Sequence, residues 1–258
     1  MPMLSRPCGD ISYHCVGTGR PLLLSHGYGA TSAMFGPNVA VLSARHQMLT
    51  WDLRGHGASQ SPADPVCYRA ENAIADMAAL LDELGIRRAV LGGHSLGGYL
   101  SLAFTLAFPD RVAGLILIDT GPGFRNDDAR DGWNRRAEGT ATRLAEQGVA
   151  ALGSSAELHA GGHSDVAGLI LAARGTLTQR DASVIEGLPS ISAPALVVVG
   201  ADDKHFLAAA DYMTNKIPVA REVVIAEAGH APNIDQPDVF NSELTTFLDE
   251  IAASTDAA

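Results

Sequence analysis

The sequence predicts an α/β fold, with a mostly parallel central sheet, helices on both faces and an inserted helical segment. Short apolar runs alternate with longer stretches of helical periodicity, the rhythm of strand–helix–strand units. The short runs are apolar throughout rather than alternating, as strands buried on both faces require. Between Asp119 and Pro194 the strand rhythm stops. That interval is too long for a plain loop in a compact domain and reads as an insertion.

Residues 10–16 do alternate, with Ile11, Tyr13 and Cys15 against Ser12 and His14, which predicts an antiparallel strand near one edge. A turn at 17–21 leads into a strand at 22–24, and further strands are expected at 47–51, 89–91, 115–118, 196–199 and 222–225. A helix over 71–84 places Ile74, Met77, Ala78 and Leu81 on one stripe and stops at Gly85. Residues 96–108 are almost wholly apolar, so this helix belongs in the core, and Pro109 ends it. Within the insertion, 127–152 and 165–174 are helix-prone. The last helix, 237–251, aligns Phe240, Leu244, Phe247, Leu248 and Ile251, with Pro237 in its first turn. The expected division is a core first part at 1–119, a helical lid insertion at 120–190 and a core second part at 191–258.

Composition narrows the function. The 18 Lys and Arg against 29 Asp and Glu give a formal charge of −11, with no basic run to offset it. Nucleic acid and anionic membranes are therefore not expected as partners; a small-molecule partner is, and the oligomeric state is not readable. No stretch is apolar enough to span a bilayer, and residues 1–10 lack the apolar centre of a secretory signal. Cys8, Cys15 and Cys67 are odd in number and unpatterned, which predicts reduced thiols and a cytoplasmic location. No cofactor is expected. His159 and His163 lie four apart, but Gly161 and Gly162 between them argue for a loop, so no metal site is expected either. Gly17 and Gly19 lack a third glycine and precede a strand, so they form a turn and not a dinucleotide cradle.

The chemistry is carried by Gly93-His94-Ser95-Leu96-Gly97, a G-x-S-x-G motif between a buried strand and a buried helix. In that setting Ser95 sits on a sharp turn at the carboxyl edge of the sheet, where open α/β folds place their sites. The following helix N-terminus favours developing negative charge. A serine nucleophile needs a base, and the base needs an orienting acid. Among nine histidines, His230 is the candidate base, because it follows a predicted strand and precedes the final helix. His94 and His56 read as packing and turn residues. The candidate acid is Asp203, three residues beyond Gly200, with Asp202 and Asp119 as the alternatives at strand ends. Oxyanion donors are expected from the backbone amides of Leu96 and Tyr28, with His26 and Gly27 shaping the loop that carries Tyr28.

The chain resembles the α/β-hydrolase superfamily over nearly its whole length. The resemblance rests on Ser25-His26-Gly27-Tyr28-Gly29, residues 52–59, residues 93–98, residues 108–112, residues 200–203 and Gly229-His230, in the family's order and spacing. Small bacterial carboxylesterases and 3-oxoadipate enol-lactonase-like proteins are the members it looks most like. The resemblance implies the α/β-hydrolase fold, an inserted lid and hydrolysis of a small to medium carboxylic ester through an acyl-serine. Lactone or carbon–carbon bond cleavage uses the same parts and stays open, as does a binding protein that keeps the fold with little turnover. One departure is the run Lys204-His205-Phe206 after the acid, where a proline is common; contacts toward the lid are expected to differ.

Overall fold

The structure, a computed structural model, describes residues 1–163 and 165–256. Ser164, inside the expected insertion, and the last two residues of the expected second core part lie outside the described residues. The strands are β1 (Met3–Leu4), β2 (Ile11–Val16), β3 (Arg20–Ser25), β4 (His46–Trp51), β5 (Ala89–His94), β6 (Val112–Ile118), β7 (Ala195–Gly200) and β8 (Ala220–Ile225). They form one sheet in the order β1-β2-β4-β3-β5-β6-β7-β8. The pairs β1/β2 and β2/β4 are antiparallel and the rest parallel. This is the α/β-hydrolase architecture that the sequence predicts.

The helices are α1 (Gly36–Leu42), α2 (Ala70–Glu83), α3 (Leu96–Ala107), α4 (Asp127–Gln147), α5 (Ala156–His159), α6 (Val166–Arg174), α7 (Ser183–Gly187), α8 (Leu207–Lys216), α9 (Pro232–Asp235) and α10 (Pro237–Asp256). Successive strand residues face opposite layers, as the two-residue period of a strand dictates. Leu23 and Leu91 pack with Met77, Leu80 and Leu81 of α2 and Leu100 and Phe104 of α3. Leu22, Leu24 and Val90 pack with Phe240, Leu244 and Phe247 of α10 on the other face. Each such buried side chain contributes roughly 1.5–3 kcal/mol.

Several strands run further than their apolar runs. β5 reaches His94, because Gly92 and Gly93 still pair with β3 and β6. The antiparallel strand predicted near one edge is β2, with only the two-residue β1 outside it. The alternation of β2 is imperfect: Ser12 is buried, because its N–H donates to Ser59 Oγ at 2.8 Å under the loop after β4. In the insertion, α4 stops at Gln147, and residues 148–152 continue as a tighter 3-10 turn.

The cysteine expectation is corrected. Cys8 and Cys67 are joined in a disulfide with Cα atoms 5.5 Å apart, inside the ordinary range for such a bond, and Cys15 is free. The two partners are 59 residues apart in sequence and share no motif, so only the fold brings them together. Cys67 packs with Tyr68 and Ala172, placing the bond beneath α6. No helix among the described residues is long and apolar enough to cross a membrane.

Candidate active site

Ser95 is the single residue between β5 and α3, with φ 50° and ψ −114°. A non-glycine residue there carries strain of about 1–3 kcal/mol, so neighbours must hold it. The Ser95 N–H donates to Ile118 O of β6 at 2.8 Å, and Thr120 Oγ1 donates to Ser95 O at 2.6 Å. The turn is tight enough that a Cβ on Gly93 would collide with the backbone of Gly97. On the neighbouring loop, a Cβ on Gly27 would lie 3.2 Å from Ser95 Cβ and 2.5 Å from His94 Nδ1. Both glycines are therefore needed for close approach.

His230 stands in the loop between β8 and α9. Its Nδ1–H donates to Asp203 Oδ2 at 2.6 Å; the imidazole is 32% exposed and the carboxylate 7%. Burial pushes the Asp203 carboxyl up. The hydrogen bond and charge of His230, with a hydrogen bond from Asp119, outweigh it and leave Asp203 below its usual value. Asp202, the adjacent alternative, serves the turn through its backbone, with its N–H on Ala228 O at 2.9 Å. Phe206, from the run after the acid, sets its ring 5.1 Å from that of His230.

Asp119, the third alternative, lies at the end of β6 with φ 41° and is 1% exposed. Its Oδ1 accepts the Gly200 N–H at 3.1 Å. Burial, reinforced by the Asp203 carboxylate, pushes it up to about 9, so near neutral pH it is an uncharged acid beside a charged one. Asp119, Asp203 and His230 could offer ligand atoms within 4.8 Å of one another. With Asp119 uncharged and His230 Nδ1 already bonded to Asp203, the trio offers a cation little negative charge, and Asp119 Oδ2 is left buried without a hydrogen-bond partner.

His94 does more than the packing expected of it. Its Nε2–H donates to the His230 carbonyl at 2.6 Å, and the two rings lie 4.5 Å apart. Burial holds its pKa well below the usual imidazole value, so it is neutral. The residue next to Ser95 thus anchors the His230 loop. Only the position of His94 in the motif hinted at this. His26 shapes its loop as expected: it accepts the Leu53 N–H at 2.9 Å and donates to Gly27 O at 2.7 Å. His56 donates to Arg54 O at 3.1 Å, a local turn contact. His159 bonds Ser155 O, whereas His163 bonds Gly29 O and accepts the Gly57 N–H, so the two engage separate partners.

Ser95, Leu96 and His230 share one cavity of about 430 Å³. Its other wall includes Trp133, Arg136, Leu177 and Gln179 from the stretch between β6 and β7. His205 and Phe206, shortly after Asp203, also line it. Among the described residues, the backbone amides of Leu96 and Tyr28 donate no hydrogen bond. Leu96 lines the cavity. Tyr28 follows Gly27, which abuts Ser95, and its hydroxyl donates to Leu169 O at 2.8 Å.

Residues 22–243 match the profile of the Alpha/beta hydrolase family. A protein of Azorhizobium caulinodans whose name proposes carbamate hydrolysis is 30% identical, over 97% of this chain and 99% of its own. The 3-oxoadipate enol-lactonase 2 of Acinetobacter baylyi is 28% identical over 88% of each chain. Among solved structures, a thermophilic esterase from Thermogutta terrifontis is similar at TM-score 0.81 and 28% identity, over 96% of this chain and 97% of that one.

Proposed function

The chain belongs to the alpha/beta hydrolase family, and from that premise we propose that it cleaves a small to medium carboxylic ester through an acyl-serine on Ser95. The observation that carries the reading is the 2.6 Å His230–Asp203 hydrogen bond, on the cavity that Ser95 also lines. In this reading His230 Nε2 takes the Ser95 proton as Oγ attacks the carbonyl carbon. The Leu96 and Tyr28 amides, free of other partners, hold the oxyanion; each donor of this kind is worth about 3 kcal/mol in the transition state. His230 returns the proton to the leaving alcohol, then takes one from the water that attacks the acyl group and passes it to Ser95 Oγ as the acyl–serine bond breaks. Asp203 fixes the imidazole and stabilises its charged form at each stage.

The division into a core at 1–119 and 191–258 and a lid at 120–190 is part of the proposal. The wall supplied by Trp133, Arg136 and Gln179 supports it. A lactone is the second reading. It is favoured by the enol-lactonase similarity and needs no different part, since the leaving alcohol then stays tethered to the acyl group. A cytoplasmic location is the reading of the sequence; the Cys8–Cys67 pair, which an oxidising compartment favours, pulls the other way.

A fluorophosphonate probe tests the activation of Ser95. Stoichiometric labelling located at Ser95 by peptide mass spectrometry is expected, because attack on phosphorus requires an activated hydroxyl. An unlabelled Ser95 in folded protein rejects the mechanism.

A further inference from the structure

The cavity carries two polar groups that ester cleavage itself does not use. Arg136 stands on its rim from α4, and among the described residues no carboxylate pairs with it. Gln179 lines the same cavity and is only 9% exposed. Its Oε1 is buried without a partner, and no hydrogen bond of its Nε2 is found among the described residues. A side-chain amide taken out of water with no partner is costly, and such groups are usually satisfied by protein, water or ligand.

The backbone that carries Gln179 is tied to the helix that carries Arg136. Trp133 Nε1 donates to Leu177 O at 2.7 Å, Asn134 Nδ2 donates to Gln179 O at 2.8 Å, and the Gln179 N–H donates to Asn134 Oδ1 at 2.9 Å. Three bonds thus fix residues 177–179 against α4, one turn from Arg136. Trp133 and Arg136, three apart on that helix, face the cavity together. Arg136 is the sole Asp, Glu, Lys or Arg among the lining residues. In a chain of net charge −11, an anion is repelled at long range, so a cation on the cavity wall marks a local preference.

We infer that Arg136 and Gln179 form a carboxylate-reading pole, so that the preferred substrates are acyl groups carrying a second, remote carboxylate: hemi-esters of dicarboxylic acids or carboxylated lactones. This rests on the hydrolytic reading above and deepens it. The guanidinium fork pairs with carboxylate oxygens, the Gln179 Nε2–H, and not its Oε1, donates a further bond, and the Trp133, Leu177 and Phe206 surfaces cover the intervening methylenes.

The monomethyl esters of glutaric, adipic and pimelic acids, compared with neutral methyl esters of the same acyl length, test the inference. The best hemi-ester is expected to exceed its neutral counterpart at least about tenfold in kcat/KM, mainly through KM, as a charge-assisted hydrogen bond allows. Arg136→Gln should collapse that ratio toward one, and Arg136→Lys should restore part of it. Binding is read without turnover in the Ser95→Ala protein. Trp133 lines the cavity while Trp51 is buried in the core, so hemi-ester should quench tryptophan emission saturably. Arg136→Gln should weaken that binding at least about tenfold.

A ratio near one in the wild type, or a ratio and quenching affinity unmoved by Arg136→Gln, overturns the inference. If fluorophosphonate labels Ser95 and neutral esters are cleaved while the ratio is flat, only the carboxylate pole fails. If Ser95 resists the probe and no ester is cleaved while Arg136-dependent quenching persists, the hydrolytic reading fails and the carboxylate pole stands.

Discussion

The two walls of the cavity are made differently. The wall bearing Ser95, Leu96 and His230 is built from the ends of parallel strands, and its geometry comes mainly from the backbone: a positive φ at Ser95 and the Ser95 N–H bond to Ile118 O of β6, with the Thr120 hydroxyl closing on Ser95 O. The wall bearing Trp133, Arg136 and Gln179 is built from α4 and the turn after α6, tied by the Trp133 and Asn134 side chains to backbone groups of that turn. A wall fixed by the sheet can hold reacting groups to a few tenths of an ångström, whereas one fixed by exchangeable side chains can change its lining without disturbing the sheet. The first suits chemistry and the second suits selection of the substrate.

The sharpest way to break this contrast is on the strand-end wall. Ser95→Ala is expected to lower kcat by on the order of 10³ to 10⁶ for every ester tested, in protein that unfolds cooperatively as before. Selective loss on some esters only would contradict the division of labour. Next comes the acid: Asp203→Asn should cost about 10² to 10⁴ in kcat, by removing the charge that orients His230. Asp119→Asn should cost less than about tenfold, since an amide replaces a group that is already uncharged. The reverse ranking in steady-state kinetics would transfer the orienting role to Asp119.

Around the helices between β6 and β7, the contrast concerns stability, because the disulfide packs beneath α6. Removing the Cys8–Cys67 bond, by reduction or by a double Cys→Ser exchange, releases a long loop in the unfolded chain. It should cost about 4 kcal/mol, or roughly 10 °C in Tm by calorimetry. The strand-end wall should survive, so fluorophosphonate labelling of Ser95 below Tm should persist.

The smallest effect is a pH dependence. Asp119 has its folded pKa raised to about 9 from the ordinary 3.8, so the folded state holds a proton that the unfolded state has released. Between those values, wild-type stability therefore falls as pH rises. Asp119→Asn removes that contribution, so its Tm advantage over wild type should grow by at least about 3 °C between pH 5 and pH 8.5. A flat difference would mean that Asp119 is ionised in the fold.

Much of the strand-end wall was legible in the sequence. Apolar runs mark buried strands, the glycines of residues 93–97 mark a forced turn, and the residues meant to meet all follow strands at one edge. What escaped was pairing between distant, unpatterned positions. Cys8 and Cys67 carry no spacing signal, and the bond from His94 to the His230 carbonyl joins residues 136 apart. The unpartnered Gln179 amide is likewise invisible until Asn134 is seen to clasp its backbone. The short outer strand β1 was missed because two residues show no period. Boundaries erred where polar or glycine residues finish a strand, as at Gly92 to His94.

The contorted backbone at residue 95 has an evolutionary corollary. Glycine tolerates positive φ far better than serine, so Ser95→Gly would relax the elbow while deleting its hydroxyl. Any selection for heat resistance alone, blind to turnover, would push toward that replacement. An oxygen-bearing side chain at this point of the chain is held against that pressure only by demand for what the oxygen does.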